Sequence, residues 1–192
     1  MPTADLKAAQ PGRVSTRNPG VIVIPTSTTL GAAGVPSGFP RTPEGALAQL
    51  AAIDQAAMQT GTLDGVRTVI AAWAAPGGPT EESWTGVGLM AEFLEAAGLS
   101  GGGSEKLSLT VTPMMGLIKG TVGSDFVLPC IDFEFTASLV QTRRVGIADC
   151  QRMVWEGTRW VIGPGVEPAV APSVWPGTDI SIEVGYKNLR RG

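Results

Sequence analysis

The stretch CIDFEFTASL, residues 130–139, decides the fold predicted for this chain. Apolar and polar residues alternate along it, which is the period-two pattern of a strand with one face on a core. The residues expected to face the core are Ile131, Phe133, Phe135, Ala137 and Leu139. Those expected on the polar face are Cys130, Asp132, Glu134, Thr136 and Ser138. The pattern therefore predicts an antiparallel sheet in the second half of the domain.

Further strands are expected on both sides of this stretch. The predicted segments are 107–112, 117–122, 145–155 and Arg159–Ile162. Pro113 is expected to end the first of them, because proline cannot donate a ladder hydrogen bond. Polar or glycine-containing turns are expected at 123–125, 141–144 and 156–158. Together these segments predict a sheet of four to five strands.

Three helices are predicted before the sheet. The first follows Thr42, a hydroxyl N-cap with Pro43 in the first helical position. The second covers residues 62–75, and the third is expected to begin at Thr80, with two glutamates in its first turn. Their predicted apolar faces are Leu47, Leu50, Ile53 and Ala57; Val66, Val69, Ile70 and Trp73; and Trp84, Val87, Ala91, Leu94 and Ala97. The fold class is therefore α+β, with helices first and the sheet after them.

The two ends of the chain are rich in proline and glycine. Residues 1–41 are predicted to form an extended arm, 42–163 the α+β domain, and 164–192 a tail with a short C-terminal helix capped by Thr178. An apolar run in the arm is the candidate interaction segment, able to pair with a sheet edge of its own chain or of a neighbour. It consists of Val21, Ile22, Val23 and Ile24.

Composition limits the chemistry that this chain can perform. The 192 residues suit one domain with or without an arm, and a net charge of −3 with mixed signs gives no basic stripe for nucleic acid. Histidine is absent, which excludes serine–histidine and cysteine–histidine nucleophile pairs. Two cysteines cannot complete a cysteine-only zinc site. We therefore expect no metal, no cofactor, no nucleic acid and no direct membrane insertion by this chain.

Carboxylates are the remaining candidates for catalysis. Asp132 and Glu134 are predicted on one strand face, about 6 to 7 Å apart at the rise of a β-strand. Such a pair suits acid–base work if its two pKa values differ. Asp149, on the neighbouring strand, is a weaker member of the same set. The plainer interpretation is a solvated face or a set of ion pairs with nearby arginines, so no catalytic residue is assigned.

Cys130 and Cys150 either form a disulfide or remain two separate thiols. If a four-residue turn covers 141–144, Val140 faces Val145 and the cysteines are offset by about five residues, roughly 17 Å. That distance exceeds the reach of a disulfide unless a bulge shifts the pairing. The predicted register therefore favours two separate thiols.

The order of elements resembles the cone-shaped fold of nuclear transport factor-like domains. Three segments, GVPSGFPRTPEGALAQLAAIDQ (34–55), MVWEGTRWVIGPG (153–165) and APSVWPGTD (171–179), resemble uncharacterised actinobacterial proteins associated with mobile elements and conjugation regions. Domains of this fold act as extracytoplasmic scaffolds in type IV secretion and conjugation systems. The resemblance therefore implies a non-catalytic assembly domain with protein partners, in a homo- or hetero-oligomer.

Two other functions stay open at this point. Related cones use their open end as an apolar pocket with one or two acids, which would make this chain a small-molecule-binding protein or a carboxylate-dependent isomerase or hydrolase. A deep apolar cavity reached by Asp132, Glu134 or Asp149 would favour that function. The third is a virion component, whose arm would cross to a neighbouring subunit. The compartment is accordingly open between an extracytoplasmic location, within a longer anchored protein, and a virion.

Overall fold

A strongly curled, antiparallel-rich sheet of seven strands forms a half-barrel with a few helices, and the fold is α+β. The computed structural model describes residues 5–169 and 171–192. In chain order the elements are β1 (Val21–Ile24), β2 (Thr29–Leu30), β3 (Pro36–Ser37), α1 (Pro43–Gln59), α2 (Leu63–Trp73), α3 (Thr85–Ala96), β4 (Ser108–Val122), β5 (Phe126–Ser138), β6 (Thr142–Cys150), β7 (Met153–Glu156), β8 (Arg159–Ile162), α4 (Asp179–Val184) and β9 (Lys187–Arg191). The predicted count of four to five strands was too low.

The sheet has the order β1-β9-β4-β5-β7-β8, and β6 also pairs with β5. β6 and β7 lie along the same side of β5 and follow one register, with Cys130 opposite Cys150 and Phe126 opposite Val154. The predicted long strand 145–155 is therefore interrupted at residues 151–152. The β7–β8 hairpin agrees with its prediction, and the rings of Trp155 and Trp160 pack edge to face across it, with centroids 5.3 Å apart.

β4 continues through Pro113, where the sequence analysis placed the end of a strand. Pro113 still pairs with Phe133, and the register shifts between Pro113 and Met115. A bulge tolerates proline because the ladder hydrogen bond that proline cannot donate is already missing there. One strand of 15 residues replaces the two that were predicted.

The first two helices begin where their caps predicted. The Gly45 N–H donates to Thr42 Oγ1 (3.1 Å), and the Gly65 N–H donates to Thr62 Oγ1 (3.1 Å). α1 is enclosed by the sheet and by α2 and α3, and the four apolar residues predicted for its face are fully buried. Within residues 5–169 and 171–192, no helix is long and apolar enough to cross a membrane.

The N-cap of α3 lies four residues after the predicted cap. Thr80 Oγ1 accepts hydrogen bonds from the backbone N–H groups of Glu82 and Ser83, so this residue closes a turn instead of capping the helix. The helix starts at Thr85, whose N–H donates to the Glu167 carboxylate at 3.2 and 3.3 Å. A carboxylate distant in sequence thus replaces a local cap, which local sequence patterns do not reveal.

The two ends of the chain meet in one edge of the sheet. β1, the predicted interaction segment, pairs in parallel with β9 of the same chain, and β9 pairs with β4. The predicted C-terminal helix was correct at its Thr178 cap but ends at Gly185, which has φ 104°, and the following residues form β9. A left-handed glycine ends a helix and lets the chain reverse, so Leu189 belongs to a strand.

The sheet separates two buried clusters. The larger lies between α1–α3 and the sheet face that carries Ile131, Phe133 and Phe135, which we call the helix face. The smaller lies on the opposite face, with Cys130 and Cys150, beneath residues 171–186, and we call this the tail face. Both faces of β5 are therefore covered, although the sequence predicted a polar outer face.

Candidate functional site

A cavity of about 390 Å³ opens on the helix face between α1, α3, β5 and β6. Its walls are mainly apolar, and exposed residues of α3 border it. The lining residues are Asp54, Met58, Trp84, Thr85, Gly86, Gly88, Leu89, Glu92, Val111, Phe133, Phe135, Ile147, Ala148, Asp149 and Ser173. The volume lies within the usual range for small-molecule sites, about 300 to 1,000 Å³.

Asp54 is the buried acid that α1 brings to this cavity. Only 4% of the residue is exposed, and its Oδ2 atom has no hydrogen-bond partner. Burial, and then the nearby charges of Asp149 and Glu167, raise the pKa of Asp54 well above its usual value. An unpaired carboxyl in an apolar wall destabilises the fold.

Asp149 supplies the second acid, from β6. The Gln151 Nε2–H donates to Asp149 Oδ1 (3.1 Å), while Oδ2 is inaccessible and has no partner. Burial raises the pKa of Asp149 to about 7, and Glu167 adds to this, while the Gln151 hydrogen bond opposes it. Asp149 is one of the charges that raise the pKa of Asp54, so the protonation of one carboxyl affects that of the other.

Trp84 forms the aromatic part of the wall. The residue is 2% exposed, and its indole N–H has no acceptor. A Cβ atom at Gly86 would lie 2.9 Å from the Trp84 ring, so the absence of a side chain at Gly86 allows the ring its position. The cavity thus combines one unpaired donor, the Trp84 N–H, with two carboxyls that each have an inaccessible and unpaired Oδ2 atom.

This arrangement suits binding and proton transfer. A carboxyl with a pKa near 7 can take up or release a proton at neutral pH, and a neighbouring carboxyl that stays protonated can donate a hydrogen bond. Within residues 5–169 and 171–192, no group of three or more cysteine, aspartate or glutamate side chains is placed to hold a metal ion.

The predicted pair Asp132 and Glu134 lies on the tail face, opposite the cavity. Glu134 accepts hydrogen bonds from Arg144, at 2.8 Å from Nε and 2.6 Å from Nη2. Asp132 is fully buried, and neither carboxyl oxygen has a hydrogen-bond partner. Burial raises the pKa of Asp132 to about 8, and the nearby Val174 amide opposes the shift only in part. Asp149 was grouped with this pair, but the structure separates them because their side chains leave opposite faces of the sheet.

Cys130 and Cys150 form a disulfide, and they lie directly opposite each other in the β5–β6 ladder. The predicted register was wrong by five residues, because the turn covers 139–141 and Ser138 already pairs with Thr142. The Ala171 N–H donates to Cys150 Sγ (3.2 Å), so the bridge lies beneath the tail.

The apolar segment of the arm lies at the edge of the sheet, away from the cavity. Val21 and Val23 are 52% and 42% exposed, whereas Ile24 is buried. They border a separate groove of about 650 Å³ with the ends of α1 and β4. This groove contains no buried unpaired polar group, so it presents less chemistry than the smaller cavity.

Asp54 is the main site residue that the sequence analysis missed. It stands four residues after Leu50 and three before Ala57, which places it on the apolar stripe of α1. A single carboxylate on such a stripe is a signal that could have been noticed. Trp84 was assigned to the core, which is true of its ring but leaves the role of its N–H unexplained.

The chain matches no protein-family model, no curated protein and no solved structure.

Proposed function

We propose that this protein binds a small, largely apolar molecule in the helix-face cavity, with Asp54 and Asp149 as its polar contacts. One observation carries the proposal: the buried and unpartnered Asp54 carboxyl belongs to the wall of a 390 Å³ apolar cavity. Without a ligand, a core of this kind is less stable, since an unpaired buried polar group costs about 1–3 kcal/mol. A ligand that bonds to these groups offsets that cost.

We also propose that the chain has the nuclear transport factor-like fold. A half-barrel sheet with helices on one face is consistent with a nuclear transport factor-like cone. In such cones the open end holds a ligand between helix and sheet, as Asp54 and Asp149 would do here. Proton transfer within the bound molecule, with Asp149 as base and Asp54 as hydrogen-bond donor, is the catalytic form of the same proposal.

The test uses a steric block designed from the structure. Gly88 lines the cavity, and no atom lies within 4 Å of a Cβ placed on it, so Gly88→Phe fills the space without a backbone clash. A fragment library is screened by ligand-observed NMR against the wild type and this variant. Glu95→Phe, at an exposed position of the same helix outside the cavity, is the control.

We expect fragments of about ten to fifteen non-hydrogen atoms to bind the wild type and Glu95→Phe, and to lose binding in Gly88→Phe. Fragment binding that is equal in all three proteins would place the ligand elsewhere and refute the proposal. A library without a single binder would refute it as well.

Assembly through β1 is the second candidate, favoured by the exposed Val21 and Val23 at a sheet edge whose strand carries no charged residue. Such edges pair with other strands unless they are protected. The proposed oligomer is tested by sedimentation over a wide concentration range and by cross-linking. Val23→Lys is expected to dissociate it, and a wild type that is monomeric throughout, with no cross-linked partner, would refute this candidate.

A further inference from the structure

The charged residues in and beside the cavity wall are all acidic. Asp54, Asp149 and Glu92 belong to its wall, and Glu167 is close enough to raise the pKa of both aspartates. Among the described residues that line the cavity, none is lysine or arginine. The four acids therefore lack an internal counter-ion, in contrast to Glu134, which pairs with Arg144.

We infer that the ligand is an organic cation, an amine-bearing molecule with a compact apolar body. A cation supplies a counter-charge to the Asp54 and Asp149 carboxyls, both of which belong to the cavity wall and each of which has one oxygen without a hydrogen-bond partner. An ammonium group has three N–H donors, and hydrogen bonds between an ammonium and a carboxylate are roughly twice as strong as neutral ones. This inference rests on the proposed function and adds the class of ligand.

Aromatic rings support the same ligand class. Trp84, Phe133 and Phe135 line the cavity together with the two aspartates. The face of an aromatic ring attracts a cation within about 6 Å of its centroid, most strongly for tryptophan. The apolar residues Met58, Leu89 and Ile147 complete the wall and suit the body of the molecule. A neutral ligand would use the apolar wall but leave the carboxylates without a counter-charge.

Binding of a cation should release protons. The groups that face Asp54 and Asp149 are Glu92 from α3, Glu167 from the tail, Gln151 beside β6 and Tyr186 between α4 and β9, none of which is positively charged. Because burial raises the pKa of both carboxyls and a bound cation favours their charged forms, binding displaces protons. Affinity should therefore increase as the pH rises from about 6 to 8.

The experiment compares two probes of one shape, adamantylamine and adamantanol, by isothermal titration calorimetry. Binding of the alcohol shows whether the cavity accepts a molecule of this shape, and the difference between the two affinities measures the contribution of the positive charge. The amine stays protonated over this pH range, since alkylammonium groups have a pKa of about 10.4. Measurement in two buffers with different ionisation enthalpies counts the protons released on binding.

We expect the amine to bind at least about tenfold more tightly than the alcohol at pH 8, corresponding to about 1.4 kcal/mol, with close to one proton released at pH 6. Asp54→Asn and Asp149→Asn should each remove most of this preference, so that the amine no longer binds much more tightly than the alcohol. Asp64→Asn, whose side chain is 95% exposed on α2, is the matched control and should keep the preference.

Three outcomes distinguish the claim that the ligand is a cation from the claim that the cavity binds a ligand. Binding of both probes with equal affinity, blocked by Gly88→Phe, would refute the cation and leave the ligand cavity in place. An amine preference that survives Asp54→Asn and Asp149→Asn would also refute the cation site. Failure of both probes to bind, together with a fragment screen without binders, would refute the cavity itself.

Discussion

Carboxyls with inaccessible oxygen atoms lie on both faces of the sheet, but they border open space on only one of the two faces. On the helix face, Asp54 and Asp149 border a cavity of about 390 Å³. On the tail face, Asp132 is fully buried under residues 171–186, beside the disulfide and Tyr186. All three have raised pKa values for the same first reason, the loss of hydration.

The comparison shows that a shifted pKa does not by itself indicate a binding site. Asp132 has a shift as clear as that of Asp149, but its surroundings are occupied by the chain itself. Burial, and then the charges of Asp132 and Asp149, raise the pKa of the Tyr186 hydroxyl, which has no hydrogen-bond partner either. Space for a ligand, together with an unpaired carboxyl, is what distinguishes the helix face.

The largest expected effect concerns Asp132 and pH. Its pKa in the folded protein is about 8, against 3.8 for an exposed aspartate. The unfolded chain therefore loses the proton first, and stability from this group is fully present below about pH 4 and lost as the pH rises through about 8. Between pH 5 and 8 the loss is at most about 4 kcal/mol.

Asp132→Asn should remove this part of the pH dependence, as measured by urea unfolding at several pH values. Asp149→Asn should flatten the curve only up to about pH 7, where its own carboxyl ionises. Equal pH dependence in the wild type and Asp132→Asn would show that the tail face admits water to this carboxyl.

The disulfide gives the next largest effect, and it should act mainly on the tail face. The bridge closes a loop with a sequence separation of 20 residues, for which the chain-entropy estimate is about 3 kcal/mol. Replacing both cysteines by alanine should lower the free energy of unfolding by about that amount. Hydrogen exchange should increase in 171–186 more than around α1; an equal increase on both faces would contradict the division into two clusters.

A glycine on β6 holds the tail close to the sheet. A Cβ atom on Gly146 would lie 1.9 Å from the Val174 carbonyl oxygen, so alanine there must displace the tail backbone. We expect Gly146→Ala to cost about 2–3 kcal/mol in chemical denaturation. Gly120→Ala, where no atom lies within 4 Å of the Cβ, is the matched control and should change stability by less than about 0.5 kcal/mol.

The smallest expected effect on stability is that of Asp54→Asn, and it distinguishes the cavity carboxyl from Asp132. Asp54→Asn should stabilise the free protein by about 1 kcal/mol at neutral pH, because the amide has no charge to desolvate. The same change should weaken binding of the amine probe, whereas Asp132→Asn should leave that binding unaltered. A loss of stability in Asp54→Asn, seen as a lower Tm in calorimetry, would show that the carboxyl is already satisfied within the fold.

Local signals predicted the elements whose causes are local. Thr42 and Thr62 cap α1 and α2 as expected, and the alternation in residues 130–139 gave the direction of the β5 side chains. Elements that depend on distant partners were missed. Glu167 sets the start of α3, a bulge accommodates Pro113, and β1 and β4 determine that residues 187–191 form a strand.

The candidate site was predicted only in part, for the same reason. Asp149 was named, but its face depends on a register that the assumed four-residue turn shifted by five positions. Asp54 was hidden within an apolar stripe, and the cavity exists only because α1, α3 and β6 meet. Sequence patterns identify which residues are unusual, while packing decides which of them face open space.

The pairing of β1 with β9 has a consequence for biosynthesis. Val21 pairs with Asn188, so the hydrogen bonds between β1, near the N-terminus, and β9, at the C-terminus, can form only after almost the whole chain has been synthesised. Long-range pairings of this kind slow folding. During translation, the edge of β4 that receives β9 therefore stays exposed until residues 187–191 have left the ribosome, and a chaperone that shields an unpaired strand would act in that interval.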